Sequence, residues 1–129
     1  DAVVRNQVYD TFCMVRDQYR VGFIVITHDL LLARKFCERI VVMYCGRVLE
    51  TNAARELFEH PRHPYTQGLI ASLPHLGMKP MAGFSPAFTD QPSGCVFHPR
   101  CPYAEARCRH TEPKSIPCGE GSVCCHRYA

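Results

Sequence analysis

Six of the nine cysteines gather towards the C-terminal end, at Cys95, Cys101, Cys108, Cys118, Cys124 and Cys125. In "GCVFHPRCPYAEARC" (94–108) the first three are separated by five and then six residues, beside His98 and Arg100. Turn-forming Pro99, Pro102, Pro113, Pro117, Gly119 and Gly121 lie between the thiols. Thiolates are soft ligands, and several converging from a loop-rich segment make a site for a metal ion or cluster. The paired CxxC units of zinc ribbons are absent, and the spacing misses both common ferredoxin patterns. Spacing therefore points to a thiolate site and leaves its occupant open: a metal or cluster, disulfides, or free thiols. His98 and His126 are placed to join the ligand set or to remain solvated or capping groups.

A second candidate is His28, which closes the apolar run Phe23-Ile24-Val25-Ile26-Thr27. Ligands of open α/β sheets bind just beyond the carboxyl ends of strands, where a histidine can donate to a phosphate oxygen. The same histidine could equally be satisfied by neighbouring backbone.

Two kinds of sequence must position these groups. In the first half, Val4, Val8, Phe12, Val15 and Tyr19 recur on one helical face, predicting a helix over 3–20. Residues 23–27 read as a strand covered on both faces, as in a parallel sheet. Asp29 can cap a helix from Leu30 to Cys37. Ile40–Met43 and Val48–Glu50 read as strands joined by a tight turn at 44–47. Asn52 can cap a helix over 53–59 with Leu57 and Phe58 inward, and Pro64 suits the first turn of the next helix. Tyr65, Leu69 and Leu73 give that helix one stripe, and Pro74 ends it. Cys13, Cys37 and Cys45, set in apolar segments, read as small buried hydrophobes.

After Pro74 periodicity vanishes, and eight of the ten prolines lie at or beyond that point. Such a segment buries too little to order itself without a cross-link, which its cysteines can supply. The expected division is thus 1–74 and 75–129. The 129 residues suffice for one domain with a modest core. A net charge of +3, well mixed, leaves no footprint for nucleic acid. No apolar run reaches the ~18–20 residues of a membrane span. The odd cysteine count opposes a fully paired secreted framework. A helical pattern beginning almost at Asp1, with no initiator Met, suggests an N-terminal end that was cut or lost.

The segments "VITHDL" (25–30), "RIVVMYCGRVLE" (39–50), "ELFEHPRHPYTQGLIASLP" (56–74) and "GCVFHPRCPYAEARC" (94–108) occur in this order. Together they resemble the C-terminal part of the ATP-binding subunits of oligopeptide/dipeptide (nickel)-type ABC importers, over essentially the whole chain. "ITHDL" marks the ABC superfamily, whereas "HPRHPYT" followed by "FHPRCPYA" marks this branch. The resemblance implies an α/β fold: a C-terminal fragment of a P-loop ABC ATPase domain, then a small, loop-rich, cysteine-containing extension. It implies that His28 is the switch histidine contacting the γ-phosphate of ATP and that Asp1 stands at the D-loop aspartate. Cys95, Cys101, Cys108 and Cys125 match the four extension cysteines that hold a 4Fe-4S cluster in some members, with Cys124 or Cys118 as alternate fourth ligands. Thr51-Asn52-Ala53 departs from the family's acidic-Gly-Pro entry to the following helix. ATP and Mg2+ are the implied cofactors of the parent protein. The implied partners are a sister ATPase subunit, transmembrane permease subunits and, indirectly, a solute-binding protein, at the cytoplasmic face of the membrane. No Gly-x4-Gly-Lys-Ser/Thr phosphate loop is present, so this chain alone is expected to be inactive. A stand-alone thiolate-metal or redox-sensing module is the alternative of a different class.

Overall fold

A computed structural model describes residues 2–87 and 89–129. The chain divides into two compact units between Glu38 and Arg39.

The first unit holds α1 (Ala2–Tyr19) and α2 (Leu30–Phe36). The expected helix forms, but the face carrying Val4, Val8, Phe12 and Tyr19 stays largely exposed. Its half-buried positions are Tyr9, Cys13, Val15 and Arg16. Tyr9 stacks on Phe36 at 4.8 Å, and Phe12 meets Phe23 at 5.5 Å. Residues 21–27 form no strand, and Ile24 and Ile26 are 96% and 97% exposed. The expected parallel strand is therefore corrected: a strand needs hydrogen-bonding neighbours, and the described residues supply none there. Asp29 caps α2 as expected, its Oδ1 accepting from the Leu32 amide at 3.0 Å.

The second unit is a small α/β body on a four-stranded antiparallel sheet. It comprises β1 (Arg39–Tyr44), β2 (Arg47–Ala53), α3 (Ala54–Glu59), α4 (Pro64–Ala71), β3 (Ile116–Cys118) and β4 (Gly121–Val123), in sheet order β1-β2-β4-β3. Cys45 and Gly46, at φ 47° and 77°, make the tight reversal between β1 and β2. β1 alternates regularly, burying Ile40, Val42 and Tyr44. β2 does not, because a bulge opposite Val42/Met43 leaves Leu49 without a cross-strand partner. As a result Leu49 and Glu50, adjacent in sequence, are both buried.

Asn52 does not cap α3. It lies within β2, 2% exposed, and its Oδ1 accepts from the next amide, Ala53. Pro64 opens α4 as expected, but the buried positions of that helix are Pro64, Thr66 and Ile70, with Tyr65 and Leu69 half-buried. Cys13, Cys37 and Cys45 are half-buried rather than core residues.

β3 and β4 come from the segment that reads as aperiodic. They are three residues each, too short to alternate visibly, and Gly119 (φ 59°) turns one into the other. Pro117 is tolerated because β3 is an edge strand. β4 pairs with β2 through Glu50↔Val123 and Thr51↔Ser122, so the cysteine-bearing segment and the first hairpin share one sheet.

Candidate functional site: a four-thiol cavity

The cysteine segment is built from single turns. Short 3-10 turns at His98–Arg100, Ala106–Arg109 and His126–Tyr128 each adjoin or contain a cysteine. The Cys95 amide donates to the Cys108 carbonyl at 2.9 Å, which draws the first and third thiol-bearing loops together. Gly94 makes this approach possible. It sits at φ 71°, and a Cβ there would stand 2.5 Å from the Cys108 carbonyl oxygen.

The frame is anchored by Phe97, 1% exposed. Its ring centroid lies 5.4 Å from Tyr44, 5.3 Å from Tyr65 and 5.7 Å from His63. Tyr44, Leu49, Cys95, Val96 and Phe97 form one core cluster, with Cys101 and Cys108 packed against it. Arg100 ties the frame to the preceding loop, its Nε donating to the Ala82 carbonyl at 3.0 Å and its Nη1 to Ser85 Oγ at 3.1 Å.

Cys95, Cys101, Cys108 and Cys125 line a single cavity, with buried His63 and Phe97 on its walls. Cys118 and Cys124 are not among its lining residues. Cys118 ends β3, and Cys124 lines a second cavity, beside Arg47 and Glu112, that it shares with Cys95 alone of the four. The amide of Phe97 hydrogen-bonds the Cys95 thiol, that of Tyr103 the Cys101 thiol, and that of Arg127 the Cys125 thiol. In each case the amide lies two residues beyond its cysteine. Burial pushes these three thiols up, while the amides pull them down, because an N–H donor favours the thiolate. Among the described residues no three His, Cys, Asp or Glu side chains stand together as ligands of one metal ion. A single tetrahedral ion would need sulfurs within roughly 4 Å of one another, given bonds of about 2.3 Å.

His98 and His126 both line the cavity. His98 Nδ1 lies 2.9 Å from the Cys95 carbonyl, and His126 Nε2 lies 2.8 Å from the Thr111 carbonyl. A carbonyl can only accept, so each of these nitrogens carries the proton. Both rings thereby brace the loops, and each has one nitrogen outside that bond.

Sequence reasoning missed the two groups that hold the adjoining HPRHPYT loop. Glu50, 1% exposed, accepts from the Arg62 amide at 2.8 Å and from the His63 amide at 2.9 Å. His63, 1% exposed, uses Nδ1 to accept from the Tyr65 amide at 3.0 Å, acting as a side-chain cap for α4. A histidine directly before an N1 proline was the available signal. Burial pulls His63 down from 6.5 to about 4. The unfolded chain takes up a proton below about pH 6.5, whereas the folded chain resists until about pH 4. Stability is therefore full above pH 6.5 and declines by about 3 kcal/mol as pH falls to 4. Denaturant titrations across that range, compared with His63→Asn, check this; an equal decline in both would refute it.

His28 is exposed in the other unit, between Thr27, whose Oγ1 accepts from the Asp29 amide at 3.0 Å, and the α2 cap Asp29. Asp1 lies outside the described residues. No described helix is long and apolar enough to cross a membrane.

Residues 49–108 match the family model described as oligopeptide/dipeptide transporter, C-terminal region. The chain is 37% identical to a dipeptide transport ATP-binding protein of Haemophilus influenzae, over 98% of this chain and 40% of that protein. It is 38% identical to the dipeptide transport ATP-binding protein of Escherichia coli, over 88% of this chain and 36% of that protein. A putative peptide import ATP-binding protein of Brucella ovis is 34% identical over 96% of this chain and 40% of its own length. The chain thus spans about two fifths of the length of the curated relatives it matches. Nothing in these likenesses supports a stand-alone thiolate module.

Proposed function

We propose that the chain is the distal part of an ABC importer ATPase subunit that powers uptake of peptides or a related solute, a reading supported by the match of residues 49–108 to the oligopeptide/dipeptide transporter C-terminal region. The observation that carries this reading is similarity to peptide-import ATP-binding proteins over 98% of the chain. Residues 1–74 are then the distal part of the nucleotide-binding domain, and 75–129 its Pro/Cys-rich extension. The parent protein uses ATP and Mg2+, works with a sister ATPase subunit, permease subunits and a solute-binding protein, and lies peripherally at the cytoplasmic face of the membrane.

In that setting His28 is the switch histidine. Its position next to Asp29, the residue that caps α2, is compatible with a histidine that contacts the γ-phosphate and the attacking water. In the complete subunit with its permease, His28→Ala is expected to lower ATP turnover about a hundredfold while nucleotide binding persists. Turnover within twofold of wild type would remove His28 from the reaction. A complete assembly whose ATPase ignores peptide-loaded binding protein would overturn the transport reading.

We further propose that Cys95, Cys101, Cys108 and Cys125 hold a 4Fe-4S cluster, supported by their shared cavity. Such a cluster gives each thiolate its own iron, so four sulfurs can surround one cavity without meeting at one ion. When bound it cross-links the extension and adds one-electron redox capacity. The chain's own residues release the thiol protons, direct the three amides at sulfur and exclude water with Phe97.

A further inference from the structure

Two side chains from different loops meet at the solvent side of the thiol cavity. Tyr103 lies two residues beyond Cys101, and Arg127 two residues beyond Cys125. The amides of both hydrogen-bond the preceding cysteine's thiol, so the backbone ties each side chain's origin to a ligand. The Arg127 guanidinium carbon stands 4.0 Å from the Tyr103 ring centroid, a cation–π stack. Both residues line the cavity. Tyr103 is nevertheless 49% exposed and Arg127 is exposed, which places the stack at the mouth rather than the floor. Arg127 thus brings a guanidinium into the lining of the cavity that Cys101 and Cys125 share. The other nearby arginine is committed to the frame: Arg107 donates to Glu105 Oε2 at 3.0 Å and to the His126 carbonyl at 2.6 Å.

Resting on the cluster reading above, we propose that Arg127 is a positioning residue of the thiol site, covering its mouth by stacking on Tyr103 and holding a fixed positive charge against the ligands Cys101 and Cys125. Four thiolates around an iron–sulfur core make an anion. A cation held beside two of them stabilises the reduced, more negative state and opposes thiolate release. The stack supplies cover, and the guanidinium supplies charge, so the two contributions separate by mutation.

The test uses the full chain reconstituted anaerobically with ferrous iron and sulfide. Reduction potential is measured by spectroelectrochemical titration, and iron loss by transfer to a ferrous chelator. Arg127→Gln is expected to move the potential to more negative values and to speed iron loss several-fold. Arg127→Lys restores the potential but not full retention. Tyr103→Leu leaves the potential near wild type and speeds iron loss. If Arg127→Gln matches a loaded wild type in both measurements, this inference alone fails. If Arg127→Lys is no better than Arg127→Gln in potential, the charge role fails. A wild type that takes up neither iron nor sulfide overturns the cluster reading and this inference with it.

Discussion

Cys101→Ser, reconstituted anaerobically, loses the iron and labile sulfide that the wild-type chain takes up, about four of each, whereas Cys118→Ser and Cys124→Ser keep them. The contrast follows from position. Cys101 shares a cavity with Cys95, Cys108 and Cys125, while Cys118 sits at the end of the edge strand and Cys124 lines another cavity in which Cys95 is its one partner from the set. A serine hydroxyl is nearly isosteric with the thiol but is a poor ligand for a soft site, so the frame survives while the donor set is broken. Cys125→Ser should behave like Cys101→Ser. Retention in Cys125→Ser with loss in Cys124→Ser would transfer the fourth place to Cys124. Zinc without sulfide in the wild type, lost in Cys101→Ser, would replace the cluster by a structural metal.

Phe97→Ala is expected to destabilise the unit from Arg39 to Ala129 by about 3–5 kcal/mol, the usual range for deleting a buried aromatic ring. The upper part of the range is favoured here because the ring touches Tyr44, Tyr65 and His63 at once, and aromatic pairs contribute beyond burial. Few neighbours can collapse into the hole, since Tyr44 is fixed by the sheet, Leu49 by the Cys124 amide that donates to its carbonyl, and Cys95 by its bond to Cys108. Denaturant midpoints, with Phe97→Leu as a volume control, measure it. A loss below about 1 kcal/mol would show that the cysteine frame stands without its anchor.

What the sequence made legible and what it hid differ by physical range. Local signals were readable: the Asp29 cap, the Cys45-Gly46 reversal and Pro64 at the head of α4 each involve groups within a few residues. The four-thiol set was legible only through resemblance, since nothing in the spacing of Cys125 distinguishes it from Cys124. Groups whose role depends on a distant partner stayed hidden. Glu50 reads as the polar end of a strand until the Arg62 and His63 amides are brought to it. Phe97 reads as one apolar residue in a turn-rich stretch until three aromatic rings surround it. Residues 23–27 failed in the opposite sense, for an apolar β-branched run states a preference for a sheet without supplying the neighbours.

The sheet order β1-β2-β4-β3 also sets a schedule. The inner edge of β2 finds its partner in β4, about seventy residues later in the chain. At ribosomal rates of about 5–20 residues per second, the β1–β2 hairpin waits roughly 4–14 s before that partner is synthesised. During this interval β2 presents an open row of amides and carbonyls, the template on which strands of other chains pair. The cysteine segment therefore has a duty during synthesis that is separate from any thiol chemistry: it is the piece that closes the nascent sheet.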